Sequence, residues 1–169
     1  MSVRKVVDYD PEWPLLFERE RQRLNGLIGH LVDDIHHIGS TSIPGLCAKP
    51  KIDIDAVVRH DAVLGEAVER VKTFGEFTFH GDPYDQGKWT FTAGRGSYGI
   101  RLYLCGPDNV AHINRILFRD WLRGHPDDAA EYAALKRRLS ADAGGDWNFY
   151  TGGKSDFVAR ILRKATTAA

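Results

Sequence analysis

The sequence predicts an α+β fold in which a mixed β-sheet is backed by helices and followed by a C-terminal helical cap. Three observations support this class. Both short β-rich runs and helical patterns occur over about residues 1–106. Only helical patterns follow over about 107–169, and no shift in composition divides the chain. We therefore expect one domain over residues 1–169. The length and the hydrophobic content of 43% suit a single core.

Periodicity and turn residues predict the elements in order. In the sheet part these are a strand at Val3–Val7, an amphipathic helix from Leu15 with apolar positions as far as Leu31, a strand at Ile35–Ile38, a strand at Lys51–Val58, a helix from Asp61 to Phe74 ended by Gly75, and strands at Glu76–His80, Lys88–Ala93 and Gly99–Leu104. Helices are then expected at about Asn109–Arg123, Asp127–Ala141 and Ser155–Lys164. The turn Gly94-Arg95-Gly96-Ser97 predicts an antiparallel hairpin.

The charge balance and the apolar runs restrict the partners. Lys plus Arg and Asp plus Glu both number 23, so the basic excess typical of a nucleic-acid-binding protein is missing. No apolar run is long enough to span a bilayer, and no apolar segment of a secretory signal follows the first residues, so we expect a cytoplasmic protein without a membrane partner. Cys47 and Cys105 lack metal-binding spacing and are expected to be free thiols. The sequence specifies no oligomeric state.

A loop of small and hydroxyl residues follows the predicted strand at Ile35–Ile38. Gly39 permits a sharp turn and a close approach of the backbone to a ligand, and Ser40, Thr41 and Ser42 add three hydroxyls. A short helix starting near Ile43 would present its amino end to an anion. The loop therefore predicts a phosphate-binding site, with an ordinary Gly-Ser turn as the alternative.

Two carboxylates share one face of the next strand. Because side chains alternate along a strand, Asp53 and Asp55 point together while Ile52 and Ile54 face the core. Paired carboxylates favour a bridging cation, and oxygen ligands favour Mg²⁺, with Mn²⁺ as the alternative. A solvent-facing Asp pair is the competing interpretation. Lys49 and Lys51 lead into this strand and would neutralise phosphate charge.

The combination of a strand, Gly-Ser and Asp-x-Asp on the following strand resembles the nucleotidyltransferase superfamily. The stretch HIGSTSIPGLCAKPKIDID at residues 37–55 is similar, more specifically, to the signature of the GrpB family, which also occurs fused to dephospho-CoA kinases. The similarity continues in YDPEWP at residues 9–14, FRDWLR at 118–123 and YAALK at 132–136, and in Tyr150, Thr151, Lys154 and Phe157. The resemblance implies that the Gly-Ser loop holds a nucleoside triphosphate and that the strand carboxylates bind magnesium.

The strand at Gly99–Leu104 departs from the active pattern. Active nucleotidyltransferases usually add a third carboxylate there, and members of the GrpB family often have His-x-His, whereas this chain has Arg101 and Tyr103 on the exposed face. Arg101 is suited to clamp a phosphate or carboxylate and unsuited to bind a cation. Asp82 and Asp85 are alternative sources of a carboxylate, although turn roles beside Pro83 are favoured.

Further contacts to the acceptor or to phosphate are expected from His37, Arg101, Tyr103, Arg119 and Lys154. His37 is expected to hydrogen-bond the loop. Arg115, Arg119 and Arg123 recur at i, i+4 and i+8, which gives a basic stripe that faces either the sheet or the solvent.

These residues predict a Mg-dependent nucleotidyltransferase, in which Asp53 and Asp55 are catalytic and hold the metal. A small acceptor would attack the α-phosphorus of a nucleoside triphosphate. Two alternatives remain open: a non-catalytic module that binds a nucleotide or a phosphorylated metabolite, and an ATP-dependent ligase that adenylates a carboxylate.

Overall fold

The computed structural model describes residues 5–144 and 146–168, with only the backbone of Trp147. Its helices and strands are, in chain order, α1 (Trp13–Ile28), β1 (Val32–Ile38), a 3₁₀ turn (Ser40–Ser42), β2 (Lys51–Val58), a second 3₁₀ turn (Asp61–Val63), α2 (Leu64–Phe74), β3 (Thr78–Gly81), β4 (Lys88–Gly94), β5 (Gly99–Cys105), α3 (Val110–Gly124), α4 (Pro126–Asp142), α5 (Trp147–Gly153) and α6 (Ser155–Ala168). The predicted α+β class, with its mixed sheet and following helices, is confirmed.

The five described strands form one sheet in the order β1-β2-β5-β4-β3. The central strands β2 and β5 are parallel, and every other neighbouring pair is antiparallel, which includes the predicted β4–β5 hairpin. In this register Asp53 lies between Ile38 of β1 and Arg101 of β5. The sheet therefore places the two predicted motifs side by side, because the Gly-Ser loop begins directly after Ile38.

The two faces of the central strands differ in chemistry, as alternation predicts. One face is fully apolar and packs against α1 and α2 through Ile52, Ile54, Ile100, Leu102 and Leu104. The opposite face carries the aspartates of β2 together with Arg101 and Tyr103 of β5. Helix α3 lies on this polar face, since its side chains hydrogen-bond to β2. The site is thus built between a polar sheet face and the C-terminal helices.

A second apolar cluster joins the loop between β1 and β2 to the helical part. Ile43 and Leu46 of this loop are buried against Leu122 of α3, Tyr132 of α4 and Phe157 of α6. Burial of side chains of this size contributes about 1.5–3 kcal/mol each. The cluster therefore fixes the helical cap over the Gly-Ser loop.

Several predicted elements need correction. Helix α5 was not predicted, because Gly152 and Gly153 lower its helix propensity, and its start is set by the cap in which Asp146 accepts from the Phe149 amide. No helix begins near Ile43, because the 3₁₀ turn Ser40–Ser42 ends before this residue and Ile43 is extended. Leu31 lies beyond the end of α1, and β3 begins two residues and ends one residue later than predicted.

The structure also bears on the predicted strand at Val3–Val7, on the two cysteines and on membrane-spanning helices. The start of the strand predicted at Val3–Val7 lies outside the described residues, and Val7 forms an isolated antiparallel bridge with Ala48. Cys47 and Cys105 are buried free thiols, as predicted. Within the described ranges, no helix combines the length and the apolar character needed to cross a membrane.

Candidate functional site

Gly39 is in close contact with Asp53. Its φ of 73° lies in the left-handed region, and a Cβ at this position would come within 2.5 Å of the Asp53 Oδ2 atom. Any larger residue would therefore be strained by its backbone and would collide with the carboxylate. The spacing between Gly-Ser and Asp-x-Asp in the sequence thus has a steric cause in the fold.

The three hydroxyl groups of the loop at Gly39–Ser42, which we call the Gly39 loop, make different contacts. Thr41 Oγ1 donates to the Lys51 carbonyl and lies 2.9 Å from His37 Nε2, so this ring nitrogen carries the proton and donates to Thr41. The Ser42 hydroxyl donates to the Gly39 carbonyl. The hydroxyls of Thr41 and Ser42 therefore shape the loop, whereas Ser40 hydrogen-bonds Tyr132, and both Ser40 and Thr41 line the adjacent cavity.

His37 is a neutral, buried part of the loop support. Its ring stacks on Phe17 at a centroid distance of 4.7 Å, and burial, followed by the charges of Arg123 and Arg119, lowers its pKa to about 3. The predicted hydrogen bond from His37 to the loop is present. In this arrangement the imidazole orients Thr41 and lies under the loop.

Asp55 is completely buried and already bound by two side chains. Arg115 donates to both carboxylate oxygens from Nε and Nη2 at 2.9 Å each, and His112 Nδ1 lies 2.7 Å from Oδ2. A fork of this kind is a strong, geometrically specific ion pair. Asp55 therefore fixes α3 to β2, a role that sequence reasoning missed because it paired Asp55 with Asp53.

The predicted stripe of arginines on α3 faces the sheet. Besides Arg115, the Arg119 Nη1 group donates to the His37 carbonyl at 3.0 Å, and the Arg123 Nε group donates to the Ser42 carbonyl at 2.9 Å. The three guanidinium groups thus hold Asp55 and both sides of the Gly39 loop. Arg119, proposed above as an acceptor contact, contacts protein groups in this arrangement.

A small cavity beside Asp53 is surrounded by lysines, and we call it the lysine pocket. Its volume is about 60 Å³, and its lining includes Ser40, Asp53, Tyr150 and four lysines, namely Lys49, Lys51, Lys136 and Lys154. Lys49 and Lys154 lie over the ring of Tyr150, with their Nζ atoms 3.8 and 4.5 Å from its centroid. The predicted residues Lys49, Lys51 and Lys154 therefore converge with Ser40 and Asp53 on one space.

Burial and mutual repulsion disfavour the charged form of three lysines in the pocket and lower their pKa values. Burial, and next the charge of Lys154, lower the pKa of Lys136 to about 7. Burial followed by Lys51 lowers that of Lys154 to about 8, and burial followed by Lys154 lowers that of Lys49 to about 8. Cations that are desolvated and repel one another are stabilised by an anion placed among them. The pocket is thus electrostatically suited to a polyanion.

Lys136 and Tyr150 are the site residues that sequence reasoning missed. Lys136 is only 2% exposed, and its Nζ donates to the Cys47 carbonyl at 2.9 Å. A signal was present in the pattern of α4, because Lys136 takes a buried position between Tyr132 and Leu139 on the apolar face of the helix. Lysine is seldom fully buried unless it is paired, so a lysine on the apolar face of a helix indicates a candidate site residue.

Arg101 and Tyr103 lie on β5 opposite the two aspartates. Arg101 is paired in register with Asp53, and Tyr103 with Asp55. Arg115 lies 4.7 Å from the centroid of the Tyr103 ring, so the tyrosine is packed between the strand and α3. The strand on which the resemblance to nucleotidyltransferases implies a third carboxylate therefore presents a cation and a phenol to the two aspartates.

The two aspartates differ in accessibility, because Asp55 is completely buried whereas Asp53 is partly exposed. No group of three or more His, Cys, Asp or Glu side chains that could hold a metal occurs in the described part of the chain. Asp53 is 18% exposed and lies 3.8 Å from the Lys51 ammonium, so its oxygens remain accessible. Asp82, weighed above as an additional carboxylate, instead accepts from the amides of Gln86 and Gly87 within its own turn.

Comparison with solved structures first identifies the class of fold. The chain superposes on the GLD-2/RNP-8 complex with a TM-score of 0.58 at 13% identity, covering 92% of this chain and 60% of that one. It superposes on the Cid1 poly(U) polymerase, whose structure contains Mg and 3'-dATP, with a TM-score of 0.53 at 12% identity, covering 88% and 49%. The chain therefore shares its fold with these two structures, one of which is a poly(U) polymerase.

The chain belongs to the GrpB family. The family model described as "GrpB protein" matches residues 4–164. The crystal structure of the conserved protein GrpB from Enterococcus faecalis superposes with a TM-score of 0.85 at 27% identity, covering 96% of this chain and 98% of that one.

The sequence relatives differ in length. A UPF0157 protein of Halalkalibacterium halodurans is 33% identical over 160 residues, covering 95% of this chain and 81% of the relative. The UPF0157 protein YqkA of Bacillus subtilis is 35% identical, and a dephospho-CoA kinase of Mycolicibacterium paratuberculosis is 30% identical. The matches cover 91% and 95% of this chain, but only 45% and 46% of those two proteins.

Proposed function

We propose that this protein binds a nucleoside triphosphate together with Mg²⁺ at the lysine pocket and transfers its nucleotidyl group to a small acceptor. The observation that carries the proposal is the convergence of four lysines on the Gly39 loop and on a single accessible carboxylate, Asp53. A triphosphate supplies several negative charges in a compact space, which is what this set of cations requires.

The phosphate chain would lie between the loop and the C-terminal helices. Ser40 and Thr41 line the pocket from the loop, whereas Lys136 and Lys154 line it from the helical side. Lysine binds phosphate as a point charge, so several lysines tolerate small differences in phosphate geometry. The helical cap and the loop at the end of β1 would then both contact the β- and γ-phosphates.

Asp53 is the residue that would hold the cation. Its carboxylate is accessible, and oxygen ligands from Asp53, the phosphates and water satisfy the preference of Mg²⁺ for a shared shell, with Mn²⁺ as the alternative. The bound metal would neutralise charge that develops on the phosphate oxygens. Asp55 as a second metal ligand stays a prediction, and its two oxygens must first exchange Arg115 and His112 for the cation.

The proposed reaction is a displacement at the α-phosphorus. A bond forms between the acceptor oxygen and this phosphorus, the bond to the bridging oxygen breaks, and pyrophosphate leaves while the acceptor proton passes to solvent. The lysines would stabilise the charge of the departing pyrophosphate. The displacement is direct, so it requires no covalent intermediate on the protein.

A second candidate is a non-catalytic module that binds a nucleotide or a phosphorylated metabolite. It is favoured by two observations: Asp55 is neutralised by Arg115, and Arg101 and Tyr103 stand on β5 where a third carboxylate is implied. Release of pyrophosphate separates the two candidates, because binding without turnover across a broad panel of acceptors supports the module.

The test is a calorimetric titration of ATP, CTP, GTP and UTP with and without Mg²⁺. We expect Lys154→Gln to weaken binding of the preferred nucleotide at least about ten-fold, as for the loss of a charged hydrogen bond. Asp53→Asn should remove the dependence on Mg²⁺. The matched control is Lys72→Gln, since Lys72 lies on α2 and pairs with Glu69 outside the site. Absence of binding for all four nucleotides at millimolar concentration would contradict the proposal.

A further inference from the structure

The polar face of the sheet continues beyond the aspartates onto β4. The pairing register aligns Asp53, Arg101 and Thr92 in one row across β2, β5 and β4, and it aligns Asp55, Tyr103 and Thr90 in the next row. Alternation places these side chains on the same face of the sheet. The surface next to Asp53, on the side away from β1, is therefore built from a guanidinium, a phenol and two hydroxyls.

Two buried polar atoms on this surface lack hydrogen-bond partners among the described residues. They are Nε of Arg101 and Oγ1 of Thr90, on the adjacent strands β5 and β4. Thr90 is only 6% exposed. A buried polar group without a partner costs about 1–3 kcal/mol, so two of them on one surface call for an explanation. A ligand that accepts hydrogen bonds would satisfy both.

The charge of this surface is positive. Asp53 pairs with Lys51 and Asp55 with Arg115, so neither carboxylate forms an ion pair with Arg101 or Lys88 in the described structure. Lys88 lies instead over the rings of Tyr103 and Tyr84, with its Nζ 4.7 and 5.7 Å from their centroids. Lys88 thus faces two aromatic rings, and Arg101 hydrogen-bonds Tyr103 while its Nε stays without a partner among the described residues.

We propose that the acceptor of the nucleotidyl group carries an oxyanion, either a carboxylate or a phosphate group, which Arg101 and Thr90 bind. The inference rests on the proposed nucleotide site at Asp53 and deepens it by naming the chemical class of the acceptor. Arg101 is suited to this role because its planar fork matches an oxyanion bidentately, and the Thr90 hydroxyl supplies a further donor. Lys88 adds positive charge at the edge of the subsite.

The position of Arg101 also accounts for the departure of this chain from the active pattern. A third carboxylate at this position would repel an anionic acceptor, whereas a guanidinium attracts it. The subsite adjoins Asp53 on β5 and β4, and the lysine pocket adjoins Asp53 on the side of the loop and helices. The two anions would therefore lie on either side of one carboxylate.

The first test measures oxyanion binding apart from nucleotide binding. With the lysine pocket saturated by the α,β-methylene analogue of the preferred nucleotide and Mg²⁺, inorganic phosphate and acetate are titrated separately. The readout is the ¹⁵N resonance of Arg101 Nε, assigned by its loss in Arg101→Met. We expect a saturable shift of this resonance with at least one of the two probes, and the responding probe distinguishes a phosphate from a carboxylate acceptor.

Matched variants test the residues themselves. Arg101→Met should weaken binding of the responding probe at least about ten-fold, and Thr90→Val should weaken it several-fold. Thr90→Val should leave the melting temperature unchanged or higher, because it removes a buried hydroxyl that has no partner, and this outcome separates a ligand-binding role from a structural one. The controls are Arg163→Met on α6 and Thr78→Val on β3, both exposed.

The titration is repeated without nucleotide in Lys154→Gln, so that failure of the nucleotide site does not decide the result. If no nucleotide binds the wild type, the proposed function is wrong, while the subsite is still tested in this variant. The oxyanion proposal is overturned if neither probe shifts the Arg101 resonance in either form. It is equally overturned if Arg101→Met binds the responding probe as the wild type does.

Discussion

Replacing Asp55 by asparagine removes the charge that fixes helix α3 to the sheet. Arg115 would lose its counter-charge and one of the two acceptors of its fork, and His112 would lose its carboxylate partner, although the shape of the side chain is nearly conserved. Asp53→Asn is the matched control. It is the same substitution two residues away on the same face, and its nearest cation in an ion pair is the Lys51 ammonium at 3.8 Å.

The expected loss of stability follows from burial. Removing one partner of a buried ion pair costs about 3–5 kcal/mol, and the lower end applies because the Arg115 side chain remains 21% exposed and regains water. For a chain of this size, about 3 kcal/mol corresponds to a fall in melting temperature of roughly 6–12 °C. Asp53→Asn should cost at most about 1 kcal/mol, as expected for an ion pair that water reaches.

The measurement is thermal and urea unfolding of both variants, followed by circular dichroism in the presence of a chelator. If Asp55 served chiefly to bind a metal together with Asp53, neutralising it would relieve repulsion between like charges and would stabilise the metal-free protein. An unchanged or raised melting temperature for Asp55→Asn would therefore refute the anchoring role of Asp55.

Three other substitutions or conditions test the site. Gly39→Ala should destabilise the protein by about 1–3 kcal/mol and abolish nucleotide binding, since its Cβ collides with Asp53; Gly65→Ala on α2, where a Cβ meets nothing, is the calorimetric control. Because folding lowers the pKa of Lys136 from 10.5 to about 7, the unfolded chain binds more protons between these values, so the stability of the wild type relative to Lys136→Met should rise with pH from about 7 upward. A constant difference between the two unfolding curves over that range would contradict this. Triphosphate binding at about pH 8 should take up protons as the pKa values of Lys49 and Lys154 rise, which calorimetry in two buffers of different ionisation enthalpy measures; equal heats in both would show no uptake.

Strands β2, β4 and β5 were predictable because their alternation is regular, whereas β1 begins at Val32, three residues before the predicted Ile35, where its pairing with β2 is irregular. β2 begins and ends where its Ile and Val pattern does, and the β4–β5 hairpin follows from its Gly-rich turn. Helix α5 was missed since its formation depends on the Asp146 cap and on tertiary packing, which a propensity argument does not register.

The Gly39 loop and the aspartates were predictable as a pair, but their division of roles was not. Sequence spacing places Asp53 and Asp55 on one face, and it carries no information on what α3 presents to each of them. Arg115 lies 60 residues after Asp55 in the chain, so only the fold brings them together. The lysine pocket was predicted in part, through Lys49, Lys51 and Lys154, while Lys136 was hidden on the apolar face of α4.

The arginine stripe of α3 makes the site sensitive to the phase of that helix. Its three guanidinium groups reach a carboxylate on β2, the end of β1 and the loop after it from successive turns of a single helix. A helix advances about 1.5 Å and turns about 100° per residue, so one residue inserted between Arg115 and Arg119 would rotate the contacts at one end away from those at the other. Point substitutions elsewhere on α3 leave this phase unchanged, whereas a single insertion or deletion would uncouple the strand aspartates from the loop.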